Sequence, residues 1–173
     1  NVSLLKKFSK KFNFKIINPA PLKIKNKVVS STIIRKNLEK GNLKDANKFL
    51  DRYWSIEGIV KQGRRMGKKI GFPTCNIELG NYIIAKPGVY AVRIRRKNHP
   101  LSMKGIANLG YRPTFNQKKI LLEVNIFNFK GNLYNKKLTV EFLKFIRGEK
   151  KFKGIKELKK QIKKDIQQAK NFK

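Results

Sequence analysis

From Tyr53 onward, apolar residues recur at alternate positions in short runs broken by glycine, proline and asparagine. Such alternation puts one set of side chains on each face of an extended segment, the mark of a half-buried strand. The runs predict six strands: Tyr53–Lys61, Thr74–Leu79, Gly88–Arg96, Met103–Leu109, Ile120–Phe127 and Leu138–Ile146. No helical stretch separates them, so a closed antiparallel barrel is expected rather than a parallel sheet. At the end of the chain the period turns helical. Leu158, Ile162, Ile166 and Ala169 form one stripe of a helix over Ile155–Phe172, suited to covering a face or mouth of the barrel.

The first fifty residues read differently. Val2, Leu4, Leu5, Phe8 and Phe12 lie near helical spacing and predict a helix within Asn1–Asn13. Phe14–Ile17 predicts a short strand ended by Asn18-Pro19 and Pro21, and Leu22–Val29 a second. Ser30, Ser31 and Thr32 are N-cap candidates for a helix carrying Ile33, Ile34 and Leu38 and stopped at Gly41. Asn42 opens a further short helix. The expected architecture is mainly β: a six-stranded barrel domain over residues 51–173 with a C-terminal helix, preceded by a small α/β segment over residues 1–50.

Composition adds charge to this picture. The chain has 173 residues, 40% of them hydrophobic, which supports a real core. It carries 43 Lys+Arg against 10 Asp+Glu, a formal net charge of +33. That balance invites a nucleic-acid-binding barrel as one reading. The lysines, however, are scattered from Lys6 to Lys173 with only short clusters, the pattern of solvated faces. Adhesion to nucleic acid at low salt is expected, specific binding is not. The single cysteine, Cys75, excludes an internal disulfide and fits a packed thiol in a reducing compartment. No apolar run reaches the ~18 residues of a membrane span. The chain reads as cytoplasmic, with no membrane partner.

The chemistry concentrates in Gly58–Asn76. Gly63, Gly67 and Gly71 fall at four-residue spacing among Arg64, Arg65, Lys68 and Lys69, and the stretch closes on Phe72-Pro73-Thr74-Cys75-Asn76. Glycines let backbone N–H groups approach a ligand, and clustered cations suit a polyphosphate. Thr74 and Asn76 offer hard oxygens one residue apart, on one face if extended, as a Mg²⁺ ion prefers. Neither the Walker spacing nor GxGxxG is present, and a plain basic loop accounts for the glycines and cations as well. Glu123 is a second candidate, a carboxylate within the apolar strand Ile120–Val124. It is either a general base at the barrel mouth or an outward glutamate paired with lysine.

The motif from Gly58 to Asn76 resembles G-x-V-x-x-G-x-x-x-G-[RK]-x-[LI]-G-F-P-T-[small]-N of the riboflavin kinase family, the flavokinase module of bacterial FAD synthetases. Further blocks follow in family order. Pro87–Val92 is similar to P-x-G-V-Y-A-V, and residues 105–115 to G-x-A-N-[IL]-G-x-x-P-T-F. Leu122–Phe129 resembles [LV]-E-V-H-I-x-D-F, and Phe142–Phe152 resembles F-x-x-x-[IL]-R-x-E-x-x-F. The resemblance covers roughly Tyr53–Phe172 and implies a six-stranded barrel that phosphorylates riboflavin to FMN with ATP and Mg²⁺. It implies Glu123 as the catalytic base and Thr74 and Asn76 as ligands of the metal and nucleotide. Gly63, Gly67, Lys68, Lys69 and Gly71 would form the loop over the phosphates, and Arg147 would face the flavin or its new phosphate. Tyr90, Asn108 and Pro113 would shape the barrel. The chain departs from the family at Asn125 (usually His), Asn128 (usually Asp) and Asn135 (usually Gly), which bears on affinity and loop geometry.

Val29–Arg35 carries a second resemblance, to the S-S-T-x-I-R element near the end of the adenylyltransferase domain of bifunctional FAD synthetases. That domain's H-x-G-H element has no counterpart, since the only histidine is His99. Residues 1–50 are thus expected to be the tail of such a domain, as though cut from a longer protein, and FAD synthesis by this chain alone is not expected. A flavin-binding remnant without turnover is the remaining alternative.

Overall fold

A computed structural model describes residues 1–63, 66–79, 82–83, 85–97, 99, 101–113 and 118–172, with the side chains of 112, 113, 118 and 119 left aside. Arg64, Arg65, Thr114 and Phe115 of the sequence motifs lie outside the described residues. The elements in order are α1 (Val2–Phe12), β1 (Lys23–Ile24), β2 (Lys27–Val28), α2 (Ser31–Lys40), α3 (Leu43–Leu50), β3 (Ser55–Lys61), α4 (Met66–Lys69), β4 (Cys75–Ile77), β5 (Gly88–Arg96), β6 (Met103–Pro113), β7 (Lys118–Ile126), β8 (Lys137–Gly148) and α5 (Ile155–Lys170).

Six strands close a barrel in the order β3-β4-β7-β6-β5-β8, every neighbour antiparallel. The alternation in the sequence is what permits this. Ile77, Tyr90, Val92, Ile94, Leu122, Val124, Leu138, Val140 and Phe142 all point inward and are at most 1% exposed. Trp54, Phe142, Tyr90 and Phe145 pack in succession, tilted or edge to face, with ring centroids 4.5–5.1 Å apart. α5 lies on the outside, where Ile166 and Ala169 meet Val89, Ala91 and Ile106. The predicted barrel strands and C-terminal helix are therefore present, displaced at their ends by a few residues.

The N-terminal segment needs two corrections. Phe14–Ile17 forms no strand; its phenylalanine is 44% and its last isoleucine 81% exposed, so no sheet edge lies beside it. Leu22–Val29 is not one strand but a tight hairpin of two-residue strands, because Lys25 and Asn26 take φ of 48° and 59° and reverse the chain. The helices follow expectation. Ser30 caps α2 by accepting from the Ile33 N–H at 3.3 Å, and Gly41 ends it at φ 76°. α2 and α3 bury Leu38, Leu43 and Ala46 in the same core cluster as Trp54 and Phe142, so they plug one end of the barrel. Asn47 fastens the plug by accepting from the Trp54 N–H and donating to the Phe142 carbonyl. No helix among the described residues is long and apolar enough to cross a membrane.

Candidate active site

Antiparallel register brings the candidate residues onto one outer row. Arg147 on β8 pairs with Val89 on β5, Val89 with Asn108 on β6, Asn108 with Glu123 on β7, and Glu123 with Asn76 on β4. Directly opposed residues share a face, so all five side chains leave the barrel on its outside. At the ordinary strand spacing Glu123 is about 5 Å from both Asn76 and Asn108, while Arg147 is roughly 14 Å from Glu123. The flanking Leu122 and Val124 are inside the core, which makes the outward direction of Glu123 a consequence of alternation alone.

Above this row lies a cavity of about 460 Å³, walled on one side by Thr74, Asn108, Glu123 and Arg147 and on the other by Phe152, Leu158 and Ile162. Its lining is chiefly apolar, with Thr74 and Glu123 among its polar groups and the charged Arg147, Glu149 and Asp165 as well. A second cavity of about 400 Å³ contains Lys68, Pro73, Cys75, Phe129 and Tyr134 in its wall. Thr74 belongs to both, so the two cavities meet there. Residues 66–74, between β3 and β4, form the roof at this junction. Their one-turn helix α4 was not predicted from the sequence; Ile70 and Phe72 N–H groups close it by hydrogen bonds to Gly67.

The other predicted residues are distributed around the junction. Gly67 lines the larger cavity, and a Cβ there would stand 3.1 Å from Thr74 Oγ1. Gly71 takes φ 89° as the chain leaves α4. Gly63 lies directly on the Asn76 carboxamide, whose Nδ2 would overlap any Cβ at that position. Lys68 and Lys69 are both exposed, and Lys68 lines the second of these cavities. Cys75 is a packed thiol as expected: it donates to the Val124 carbonyl at 3.4 Å, and burial pushes its pKa up to about 11.

Arg147 is held more firmly than the sequence indicated. Its Nε and Nη2 donate to both oxygens of Asp165 at 2.8–3.1 Å, and Nη1 donates to the Gly148 carbonyl at 2.9 Å. Gln161 Nε2 donates to Asp165 Oδ1 at 2.8 Å. The Asp165 side chain is 3% exposed and that of Arg147 22%. Sequence reasoning missed Asp165 and Gln161. One signal was available: Asp165 falls seven residues after Leu158, on the apolar stripe of α5, where an acid needs a buried partner.

The departures prove compatible with the loops they occupy. Asn125 donates to the Pro73 carbonyl at 2.7 Å and so ties β7 to the segment carrying Thr74. Asn128 and Asn135 take φ of 56° and 60°, a left-handed conformation that asparagine tolerates better than other residues with a Cβ.

With this geometry in place, comparison with known proteins is informative. The riboflavin kinase family model, Flavokinase, matches residues 50–173. The bifunctional riboflavin kinase/FMN adenylyltransferase of Buchnera aphidicola subsp. Schizaphis graminum is 43% identical over 175 residues, covering 99% of this chain and 56% of that protein. The enzyme of the same name from Bacillus subtilis is 43% identical over 148 residues, covering 83% and 46%. A crystal structure from Streptococcus pneumoniae described as a macrolide-efflux protein superposes with a TM-score of 0.86 at 30% identity, over 97% of this chain and 55% of that one. The chain spans about half the length of these relatives.

Proposed function

The chain belongs to the riboflavin kinase family, and from that premise we propose that it transfers the γ-phosphate of ATP to the terminal ribityl hydroxyl of riboflavin, giving FMN and ADP. The observation that carries this is the meeting of two cavities at Thr74, with Glu123 in the wall of one of them. Phosphoryl transfer needs the acceptor hydroxyl and the nucleotide held in line, with little covalent help from the protein, and here the acceptor carries a flat apolar ring. The isoalloxazine occupies the larger cavity between the barrel and α5. The purine occupies the smaller one, against Phe129 and Tyr134.

Glu123 accepts the proton of the ribityl hydroxyl as its oxygen bonds to the γ-phosphorus and the bond from phosphorus to the bridging oxygen of ADP breaks. Thr74 Oγ1 and Asn76 Oδ1 orient the phosphates, and Lys68 stands beside the nucleotide. The donor set fits magnesium. Among the described residues no group of three or more His, Cys, Asp or Glu could hold a metal ion. Mg²⁺ is ordinarily held by one or two protein oxygens together with substrate phosphates and water, and Thr74 and Asn76 supply oxygens of that kind. When bound, the ion neutralises charge on the transferring phosphoryl group. Arg147, far from Glu123 and already paired, keeps two N–H groups for the carbonyl oxygens of the flavin ring.

Residues 1–50 we assign to the last part of an adenylyltransferase-like domain, with the barrel domain beginning at residue 51. The test is a product assay with purified chain, ATP, Mg²⁺ and riboflavin, separating FMN from FAD by chromatography. FMN without FAD is expected, and its formation should stop when the metal is chelated. Folded protein that makes no FMN overturns the reading. A second expected result concerns the loop. Gly63→Ala should push the Asn76 carboxamide aside at little cost in Tm, because the displaced atom is the end of a side chain. The KM for Mg-ATP should rise several-fold while that for riboflavin holds. An unchanged KM for Mg-ATP would remove Asn76 from the nucleotide site.

A further inference from the structure

Glu149 follows β8 and lines the larger cavity, yet the reaction just described does not use it. Its position is specific. The carboxylate rests on the Cα of Gly110, a buried residue of β6, and Oε1 would overlap any Cβ placed there. Gly110 is not among the glycines with positive φ, so the missing side chain serves close approach rather than backbone freedom. The Nδ2 of Asn108 lies 3.7 Å from the same point. Glu149 thus lies one strand repeat, about 7 Å, from the level of Glu123.

Its carboxylate is exposed at the cavity rim and, like those of Glu39 and Asp51, has no ionic partner among the described residues. Glu57, Glu141, Glu157 and Asp165 are each ion-paired with lysine or arginine. Among the described residues Glu149 makes no ion pair or hydrogen bond, although 43 cations are available in the sequence. A carboxylate at neutral pH only accepts hydrogen bonds, so the ligand part that suits it is one rich in donors. The flavin ring has a single imide N–H, at the end remote from the reacting hydroxyl. The ribityl chain has a row of hydroxyls adjoining that hydroxyl, within the distance that separates Glu149 from Glu123.

Resting on the kinase reading, we propose that Glu149 is a specificity-determining residue whose carboxylate accepts hydrogen bonds from the inner ribityl hydroxyls. It selects flavins bearing a polyol chain over flavins bearing a plain alkyl chain. Gly110 provides the space that lets the carboxylate stand there. The selection works by hydrogen-bond pairing, which discriminates hydroxylated from deoxygenated ligands far better than an apolar pocket does.

The test is a fluorescence titration of the full chain with riboflavin and with a flavin whose N10 substituent is 5-hydroxypentyl, which keeps the ring and the reacting hydroxyl but lacks the inner ones. Wild-type protein should bind riboflavin about tenfold or more tightly than the analogue. Glu149→Ala should abolish that ratio by weakening riboflavin alone, and Gly110→Ala should do the same by displacing the carboxylate. Equal weakening of both ligands, or an unchanged ratio in Glu149→Ala, overturns the proposal while leaving the kinase reading intact. Wild-type protein that neither binds riboflavin nor forms FMN overturns both.

Discussion

Replacing Glu123 by alanine is expected to reduce kcat for FMN formation between about a hundredfold and ten-thousandfold, the range of a positioned general base. The KM values for riboflavin and ATP should change little by comparison. The expectation rests on where the strand puts this residue. Leu122 and Val124 fill the core on either side, so truncation at 123 opens no interior cavity. Glu123 stands opposite Asn76 on one neighbouring strand and Asn108 on the other, in the wall of the larger cavity. Glu123→Gln is the more exacting variant, since it keeps shape and loses the proton acceptor. Far-ultraviolet circular dichroism and a thermal melt would establish that both variants fold. A folded Glu123→Gln protein with kcat near wild type would remove Glu123 from the role of base.

Asp165→Ala is expected to be the most destabilising single change at the site, about 3 kcal/mol, measured by urea unfolding. Removing one partner of a buried ion pair leaves the other charge unpaired, here with Gln161 also losing its acceptor. The figure is at the low end of the range for such pairs because Arg147 keeps part of its surface in water. The change also frees α5 from β8, so the wall formed by Leu158 and Ile162 should loosen and the KM for riboflavin should rise more than that for ATP. A double replacement, Arg147→Met with Asp165→Leu, should recover most of the stability, since apolar residues of similar volume often match a buried pair. It should not recover riboflavin affinity if the remaining N–H groups of Arg147 contact the flavin ring. A loss below about 1 kcal/mol in Asp165→Ala would mean that the pair is solvated and that other contacts hold the helix.

Much of the fold was legible because strand alternation is a local property. The predicted bounds of Gly88–Arg96 coincide with β5, since Pro87-Gly88 opens it and the apolar run Val89–Val92 with Ile94 carries it to the arginines. The failures occurred where the pattern was weak. Leu22–Val29 contained a reversal at Lys25-Asn26 that alternation could not reveal, and Phe14–Ile17 was apolar without having a partner strand. The motifs likewise place Thr74 and Asn76 together on one extended face, but say nothing of their distance from Glu123 or Arg147.

What the sequence determined by itself was the six barrel strands, the C-terminal helix, the family and the identity of the groups capable of chemistry. The tertiary structure decided which of those groups meet. The row from Asn76 to Arg147 exists only because strands distant in sequence pair in a particular register, and a slip of one residue would turn Glu123 into the core. Asp165 finds Arg147 across 18 residues of sequence, and Glu149 finds Gly110 on another strand of the barrel. Alternation is dictated by each residue's neighbours in the chain, whereas register, burial of an ion pair and close approach to a glycine arise from packing between segments. The candidate catalytic residues could therefore be identified one at a time, but the cavity that joins them is a product of barrel closure.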